Sequence, residues 1–91
     1  MKKKHITLRE DQLEEYIINN FKEEAFLEIS YNRVFIPGKI LFVDEDAIIT
    51  LQLKGQLLNQ RVDINIKEVK KELVEIIYTY DDESLVISVV D

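Results

Sequence analysis

The chain has 91 residues, 46% of them hydrophobic and 33% charged, and it contains no cysteine. This length predicts one folded domain, because a second hydrophobic core would need more residues. The lack of cysteine excludes a disulfide framework and a thiolate metal site. No apolar run approaches the roughly 20 residues that span a bilayer, so we expect a cytoplasmic protein.

The charge is unevenly distributed along the chain. There are 12 Lys and Arg against 18 Asp and Glu, a net charge of −6, and three of the cations are the consecutive Lys2, Lys3 and Lys4. We expect residues 1–7 to form a flexible basic N-terminus and residues 8–91 to form the single domain. Because a negative surface repels phosphate groups and attracts basic proteins, the composition favours a basic protein partner and disfavours direct nucleic-acid binding.

The segment ITLREDQLEEYIINNFKEEA, residues 6–25, predicts the one substantial helix. Thr7 is followed three residues later by Glu10, which is a capping-box pattern. Apolar residues from Leu13 to Phe21 recur at helical spacing, which gives the helix one apolar face. We expect the helix to end within the last six positions of this segment and to pack its apolar face on the rest of the domain.

After the helix, apolar residues alternate with a period of two, the pattern of strands that bury one face. We expect six short strands in the segments 25–31, 34–43, 47–54, 61–66, 73–80 and 85–90. The segment GQLLNQ, residues 55–60, is predicted to be a connection, and KEVKKE, residues 67–72, a single helical turn. The last strand, LVISVV, is apolar on both faces, so it needs either a central position in the fold or a second subunit.

Several antiparallel strands that share one apolar face leave open edges unless the sheet closes. We therefore predict an α+β fold in which an N-terminal helix is followed by a five- to six-stranded antiparallel small barrel of the SH3-like or Sm-like type. The doubly apolar last strand adds the expectation of a homodimer or small homo-oligomer.

The segment from Phe26 to Leu51 resembles the first motif of Sm-like proteins, which are small SH3-like barrels preceded by a helix. Gly38, Asp44 and the apolar residues around them occupy the positions of that motif. The family's uridine-contacting asparagine corresponds to Ile48, and its second motif, an apolar-Arg-Gly segment, has no counterpart. The resemblance therefore implies the barrel more than RNA binding.

The chain is also similar to the YolD-like proteins of low-GC bacteria and their mobile elements. The shared features are an acidic amphipathic helix, the segment GKILFVD at residues 38–44 and the segment INIKEV at residues 64–69. The family's usual Tyr-Tyr-acidic-Gly hairpin tip is replaced by Tyr31, Asn32 and Arg33. This resemblance implies an accessory role beside DNA-damage or polymerase functions, without catalysis.

Acidic residues are the main candidates for a functional surface. The candidate partner-binding residues are the acids of two predicted hairpin tips and two acids of the helix: Asp44, Glu45, Asp46, Asp81, Asp82, Glu83, Glu14 and Glu15. Three adjacent residues in a tight turn cannot all point at one ion, which argues against a metal site. The simplest interpretation of each tip alone is a solvated turn that keeps the hairpin soluble.

Other residue types give no support for catalysis. His5 is the only histidine, and the chain has no cysteine to act as a nucleophile. Gly38 and Gly55 are the only glycines, so a phosphate-cradling loop is not expected. We predict a protein that is not an enzyme and that has no cofactor and no metal site.

The leading hypothesis is a non-enzymatic interaction module that presents its acidic surface to a basic partner. One concrete version is a phage or plasmid accessory protein that inhibits a nucleic-acid-handling enzyme. The alternative is an oligomeric Sm-like RNA-binding protein, for which the candidate phosphate contacts are Lys67, Lys70 and Lys71. These lysines occupy positions i, i+3 and i+4 of the predicted helical turn and could share one face.

Overall fold

The computed structural model describes residues 2–53 and 60–91. In chain order their elements are β1 (Lys2–Arg9), α1 (Glu10–Asn20), β2 (Phe26–Tyr31), β3 (Val34–Val43), β4 (Ile48–Leu53), β5 (Arg61–Asn65), α2 (Ile66–Val69), β6 (Leu73–Tyr80) and β7 (Glu83–Val90). The six predicted strands are confirmed as β2 to β7, with small differences at their ends, and the predicted helical turn corresponds to α2. The predicted connection at residues 55–60 lies, except for residue 60, outside the described residues.

The strands of the described residues form one mixed sheet in the order β1-β7-β6-β2-β3-β4-β5. From β7 to β5 every neighbouring pair is antiparallel. β1 is different, because it pairs parallel with β7 along its whole length, with Lys2 opposite Glu83 and Arg9 opposite Val90. The sheet therefore ends in two edges, β1 and β5.

The prediction of an N-terminal helix followed by a closed antiparallel barrel is wrong. A strand precedes the helix, and the sheet remains open. The physical reason is that helices bury the apolar face that barrel closure would otherwise have to bury. Leu13 and Ile17 of α1 and Ile66 of α2 are fully buried in the same core as the strand residues. Helices packed on one face of a sheet give a stable two-layer arrangement without closure.

The N-terminal segment also differs from the expectation. Residues 2–7 of the segment predicted as a flexible basic N-terminus belong to β1. The first-turn contact of α1 is made by Gln12, whose Oε1 accepts a hydrogen bond from the Arg9 N–H at 3.1 Å, and not by Thr7. The helix ends at Asn20, within the predicted range.

The doubly apolar last strand is explained by its position within the sheet. β7 lies between β6 and β1. Ile87 is fully buried in the main core, whereas Val86 is only 3% exposed on the opposite face and lies outside that core cluster. β7 therefore has an inner position in the sheet, the first of the two predicted alternatives, while Val90 remains 44% exposed.

Both predicted acidic turns lie at the same end of the sheet. Phe26, at the start of β2, pairs with Lys39 of β3 and Thr79 of β6. Because these neighbours are antiparallel to β2, the β3–β4 and β6–β7 connections project from the end where β2 begins. We call this the loop end, and define it by residues 21–25, 44–47 and 81–82.

Candidate interaction surface

The turn between β3 and β4 is held together by its own first acid. Asp44 Oδ1 accepts hydrogen bonds from the N–H groups of Asp46 and Ile48, both at 2.9 Å. The Ala47 N–H donates to the Asp44 carbonyl oxygen at 3.1 Å. An aspartate at the first position of such a turn commonly supplies these acceptors. The Asp44 carboxylate therefore stabilises the turn through Oδ1.

The same turn contacts α2. The Ile66 N–H donates to the Ala47 carbonyl oxygen at 3.2 Å, and Lys67 Nζ lies 3.8 Å from Asp46 Oδ1. Glu45 is exposed and is the one acid of this turn without an ion pair or side-chain hydrogen bond to any described residue. Two of the three acids predicted here to bind a partner thus make contacts within the chain.

The turn between β6 and β7 is built differently. Asp81 and Asp82 have φ values of 50° and 66°, as the two central residues of a type I′ hairpin turn do. The side chains of Asp81, Asp82 and Glu83 are all exposed. Over residues 2–53 and 60–91, none of the three forms an ion pair. Three carboxylates of this turn therefore remain available.

An open cavity of about 540 Å³ lies beside the β6–β7 turn, and we call it the acidic cavity. Its lining consists of Glu24, Phe26, Thr79, Tyr80, Asp81 and Asp82. Phe26 is 48% exposed and Tyr80 39% exposed. Glu24 Oε2 lies 3.2 Å from Lys39 Nζ, so the two aspartates are the acids of this lining that form no ion pair with a described residue. Exposed aromatic rings beside free carboxylates suit a cationic side chain, because the ring face and the carboxylate both attract it.

The structure does not bring the two helix acids to the loop end. Glu14 and Glu15 lie in the middle of α1. Glu14 Oε2 is 3.0 Å from Lys70 Nζ, and the two side chains are only 24% and 25% exposed. Glu15 is exposed and lines a separate cavity beside β1. The eight predicted acids are therefore divided among two turns and a helix face.

The alternative lysine cluster is largely neutralised by neighbouring acids. Lys70 pairs with Glu14, and Lys67 is near Asp46. Within the part of the chain that the structure describes, Lys71 is the one member without an ion pair. A phosphate group would have to compete with these acids for the lysines, which weakens the case for a nucleic-acid contact here.

A second cavity, which we call the basic cavity, was not predicted from the sequence. It has a volume of about 290 Å³, and its lining includes two lysines, one acid and three tyrosines: Lys4, Lys22, Glu83, Tyr16, Tyr78 and Tyr80. Lys22 Nζ lies 5.0 Å from the centre of the Tyr80 ring. The Tyr78 hydroxyl accepts a hydrogen bond from the Lys22 N–H at 3.1 Å, and partial burial raises the pKa of Tyr78. Tyr80 lines both cavities, so sites of opposite charge lie next to each other.

The sequence contained only a weak signal for the basic cavity. Tyr78 and Tyr80 alternate along a strand, and that pattern alone is more typical of core residues. Lys4 reaches them only because β1 pairs parallel with β7, a contact between the two ends of the chain. No local pattern indicates such a pairing.

These observations define the class of the protein: a small domain whose described residues form an open mixed sheet with two helices on one face. Over residues 4–88 the chain matches the model of the family DUF2097, described as an uncharacterized protein conserved in archaea. The chain belongs to this family. Comparison with curated proteins and with solved structures finds no match. None of the described helices is long and apolar enough to cross a membrane.

Proposed function

We propose that this protein is a non-enzymatic interaction module that binds a basic protein partner at the acidic cavity. The observation that carries the proposal is the placement of the unpaired Asp81 and Asp82 beside the exposed rings of Phe26 and Tyr80. A lysine or arginine side chain that enters this cavity gains charge-assisted hydrogen bonds to the carboxylates and a cation–π contact with a ring. The net charge of −6 assists the approach of such a partner.

The geometry favours one cavity over a single broad acidic surface. In the sheet order, three strand spacings separate the β6–β7 turn from the β3–β4 turn, or about 14 Å at roughly 4.8 Å per spacing. This separation exceeds the Debye length of about 8 Å at physiological salt, so the two turns act on a partner largely independently. The turn with the unpaired acids therefore carries the proposal.

One class of partner that fits is a nucleic-acid-handling enzyme, whose binding groove is rich in lysine and arginine. A protein with this acidic cavity would occupy such a groove as an accessory or inhibitor, and a cytoplasmic location is part of this proposal. The alternative function, RNA binding by an oligomer, depends on Lys67, Lys70 and Lys71. Lys70 is paired and Lys67 lies near an acid, so the interaction module has the stronger support.

A titration of the isotope-labelled protein with a short arginine-containing peptide, followed by NMR, tests the proposal. We expect chemical-shift changes at Phe26 and at Thr79 to Asp82, and weaker binding when salt rises from about 50 to about 300 mM. The double substitution Asp81→Asn and Asp82→Asn should lower the affinity about tenfold or more, since roughly 1.4 kcal/mol is lost when a charged contact is removed. Asparagine suits a type I′ turn, so the fold should be kept.

The matched control is Glu45→Gln together with Asp46→Asn, which removes the same two charges at the β3–β4 turn. A peptide with citrulline, the neutral analogue of arginine, controls for the charge of the ligand. Equal losses in the two double variants, or equal affinity for the citrulline peptide, would contradict the acidic cavity as the binding site.

A further inference from the structure

The outer edge of β1 has no strand beside it within residues 2–53 and 60–91. The Lys2 N–H donates to the Asp82 carbonyl oxygen at 3.4 Å, so the backbone groups of the even-numbered residues of β1 face β7. Those of the odd-numbered residues face outward. The last of these, Arg9, uses its N–H in the contact with Gln12. The remaining outward donor and acceptor positions are Lys3, His5 and Thr7.

This edge strand is basic although the chain as a whole is acidic. Arg9 Nε lies 3.3 Å from Asp11 Oδ1. The three lysines Lys2–Lys4 make no ion pair with any described residue. Lysines on an edge strand discourage pairing with other strands in general. They nevertheless favour a strand that carries carboxylates, because opposite charges on neighbouring strands attract.

A groove runs along this edge, between β1 and α1. One part is a cavity of about 370 Å³, lined by Leu8 and by residues of α1 that include the acids Asp11 and Glu15. The other part is the basic cavity, and both parts share Tyr16 and Asn20. From Leu8 to Lys4 the groove follows β1 for four residues, or about 13 Å. That length accommodates alternate side chains of an extended peptide.

We propose that this groove binds an extended peptide that carries acidic side chains, and that the peptide adds to the free edge of β1 as a further strand. Its backbone pairs with the outward groups of β1, and its alternate side chains enter the groove beside α1. An acidic side chain at the basic cavity meets Lys4 and Lys22, next to Glu83 of the same lining. Asp11 and Glu15 would repel a second acidic side chain, so the part beside Leu8 suits an uncharged one. The two cavities share Tyr80 but no charged residue, and their ligands have opposite charge, so the proposal does not depend on the proposed function.

A peptide fits this edge better than nucleic acid or a second copy of the chain does. Only a polypeptide backbone repeats donors and acceptors at the spacing of a strand, which is the basis of strand addition. Nucleic acid lacks this repeat of donors and acceptors and cannot pair with the strand. A second copy of the chain is disfavoured because both paired β1 strands would carry the same three lysines, and like charges on neighbouring strands repel.

The test uses the full chain and a synthetic eight-residue peptide of alternating valine and glutamate, followed by NMR. We expect shifts along β1 and slower solvent exchange of the Lys3, His5 and Thr7 amides, since these N–H groups become hydrogen-bonded. Two further peptides carry N-methyl groups on every valine or on every glutamate. The peptide whose methyl groups face β1 should bind about tenfold or more weakly than the other, because it loses its backbone donors.

Substitutions in β1 give an independent measurement. His5→Pro removes one outward N–H without removing a bond to β7, and proline is tolerated at such edge positions. The variant should bind the valine–glutamate peptide with about tenfold lower affinity. Its affinity for the arginine peptide at the acidic cavity should be unchanged. If this variant does not fold, Lys3→Gln with Lys4→Gln replaces it, and Lys71→Gln with Arg61→Gln removes two charges elsewhere as the matched control.

Three results would overturn the proposal. Equal binding of the two N-methylated peptides would show that charge alone holds the ligand. Tighter binding of an oligothymidylate that competes for the same residues would assign the groove to nucleic acid. Protection of the β1 amides that rises with protein concentration, without any peptide, would assign the edge to a second copy of the chain.

Discussion

The two turns at the loop end have similar sequences and different structures. Each contains three consecutive acids, Asp44–Asp46 in one and Asp81–Glu83 in the other. In the β3–β4 turn the Asp44 carboxylate accepts hydrogen bonds from two backbone N–H groups, and the Asp46 carboxylate lies near Lys67 of α2. In the β6–β7 turn no described residue forms an ion pair with any of the three acids.

Turn length accounts for this difference. The β6–β7 turn has two central residues, and a type I′ turn of this length satisfies its backbone groups through the flanking strands. The β3–β4 turn is longer, and the N–H groups of Asp46 and Ile48 need an acceptor that the Asp44 side chain provides. An acidic composition therefore identifies a turn, but backbone geometry determines whether its acids are structural or available to a partner.

The largest effect on stability should come from Asp44→Ala. The substitution leaves two N–H groups without their charged acceptor, and one of them, that of Ile48, is partly buried. We expect a loss of about 2 kcal/mol in the free energy of unfolding. Urea denaturation followed by circular dichroism measures this change.

Glu45→Ala in the same turn and Glu83→Ala in the other turn are the matched controls. Both side chains are exposed and unpaired among the described residues, so each change should stay within about 0.5 kcal/mol. If Glu83→Ala lowered the free energy of unfolding as much as Asp44→Ala, the acids of the β6–β7 turn would be structural too, and the two turns would not differ in this respect.

A substitution in the β6–β7 turn should change the free energy of unfolding less than Asp44→Ala does, and in the opposite direction. Asp82 has a φ of 66°, a conformation that glycine adopts without the strain that a side chain brings. Asp82→Gly should therefore raise the free energy of unfolding by about 0.5 kcal/mol, and the thermal midpoint should rise with it. Arg33, with a φ of 63° in the β2–β3 turn, offers a second test through Arg33→Gly. Destabilisation by both changes would show that side-chain contacts outweigh backbone strain in these turns.

The sequence predicts the antiparallel part of the fold because its signals are local. Alternating apolar residues gave β2 to β7, and short polar turns separated them. β1 was missed for two reasons. Lys2–Lys4 look like a solvated terminus. The spacing of Thr7 and Glu10 also predicts that the helix starts at Thr7, whereas in the structure the first-turn hydrogen bond joins Arg9 and Gln12. The parallel pairing of β1 with β7 joins the two ends of the chain, and only tertiary packing determines it.

The candidate sites follow the same rule. The acids of both turns could be identified from the sequence, but their availability could not, because it depends on which backbone N–H groups the folded turn leaves exposed. The basic cavity depends on Lys4 meeting Tyr78 and Tyr80, which requires the missed strand. The run of lysines was itself a signal for the missed strand, because lysine is common on edge strands.

A pair of acids away from the loop end, Glu10 and Asp91, provides the smallest expected effect on stability and a test by pH. A hydrogen bond to Asp91 raises the pKa of Glu10 above its ordinary value of 4.5, because the two carboxyl groups share a proton, and burial and charge repulsion add to the effect. A folded-state pKa that is raised contributes stability that is fully present below the unfolded pKa and is lost as the pH rises through the folded pKa. This pair should therefore stabilise the fold more at pH 4 than at pH 7.

Glu10→Gln separates this contribution from those of the other carboxyl groups. Glutamine cannot titrate and can still donate a hydrogen bond to Asp91, so the variant should lose less stability than the wild type between about pH 4.5 and pH 7. The contact lies at the surface, where solvent weakens it, and the difference should be smaller than the effect of either turn substitution. Urea midpoints measured across this pH range, in both proteins, give the comparison. Identical pH profiles would show that Glu10 and Asp91 do not interact with each other in the folded state.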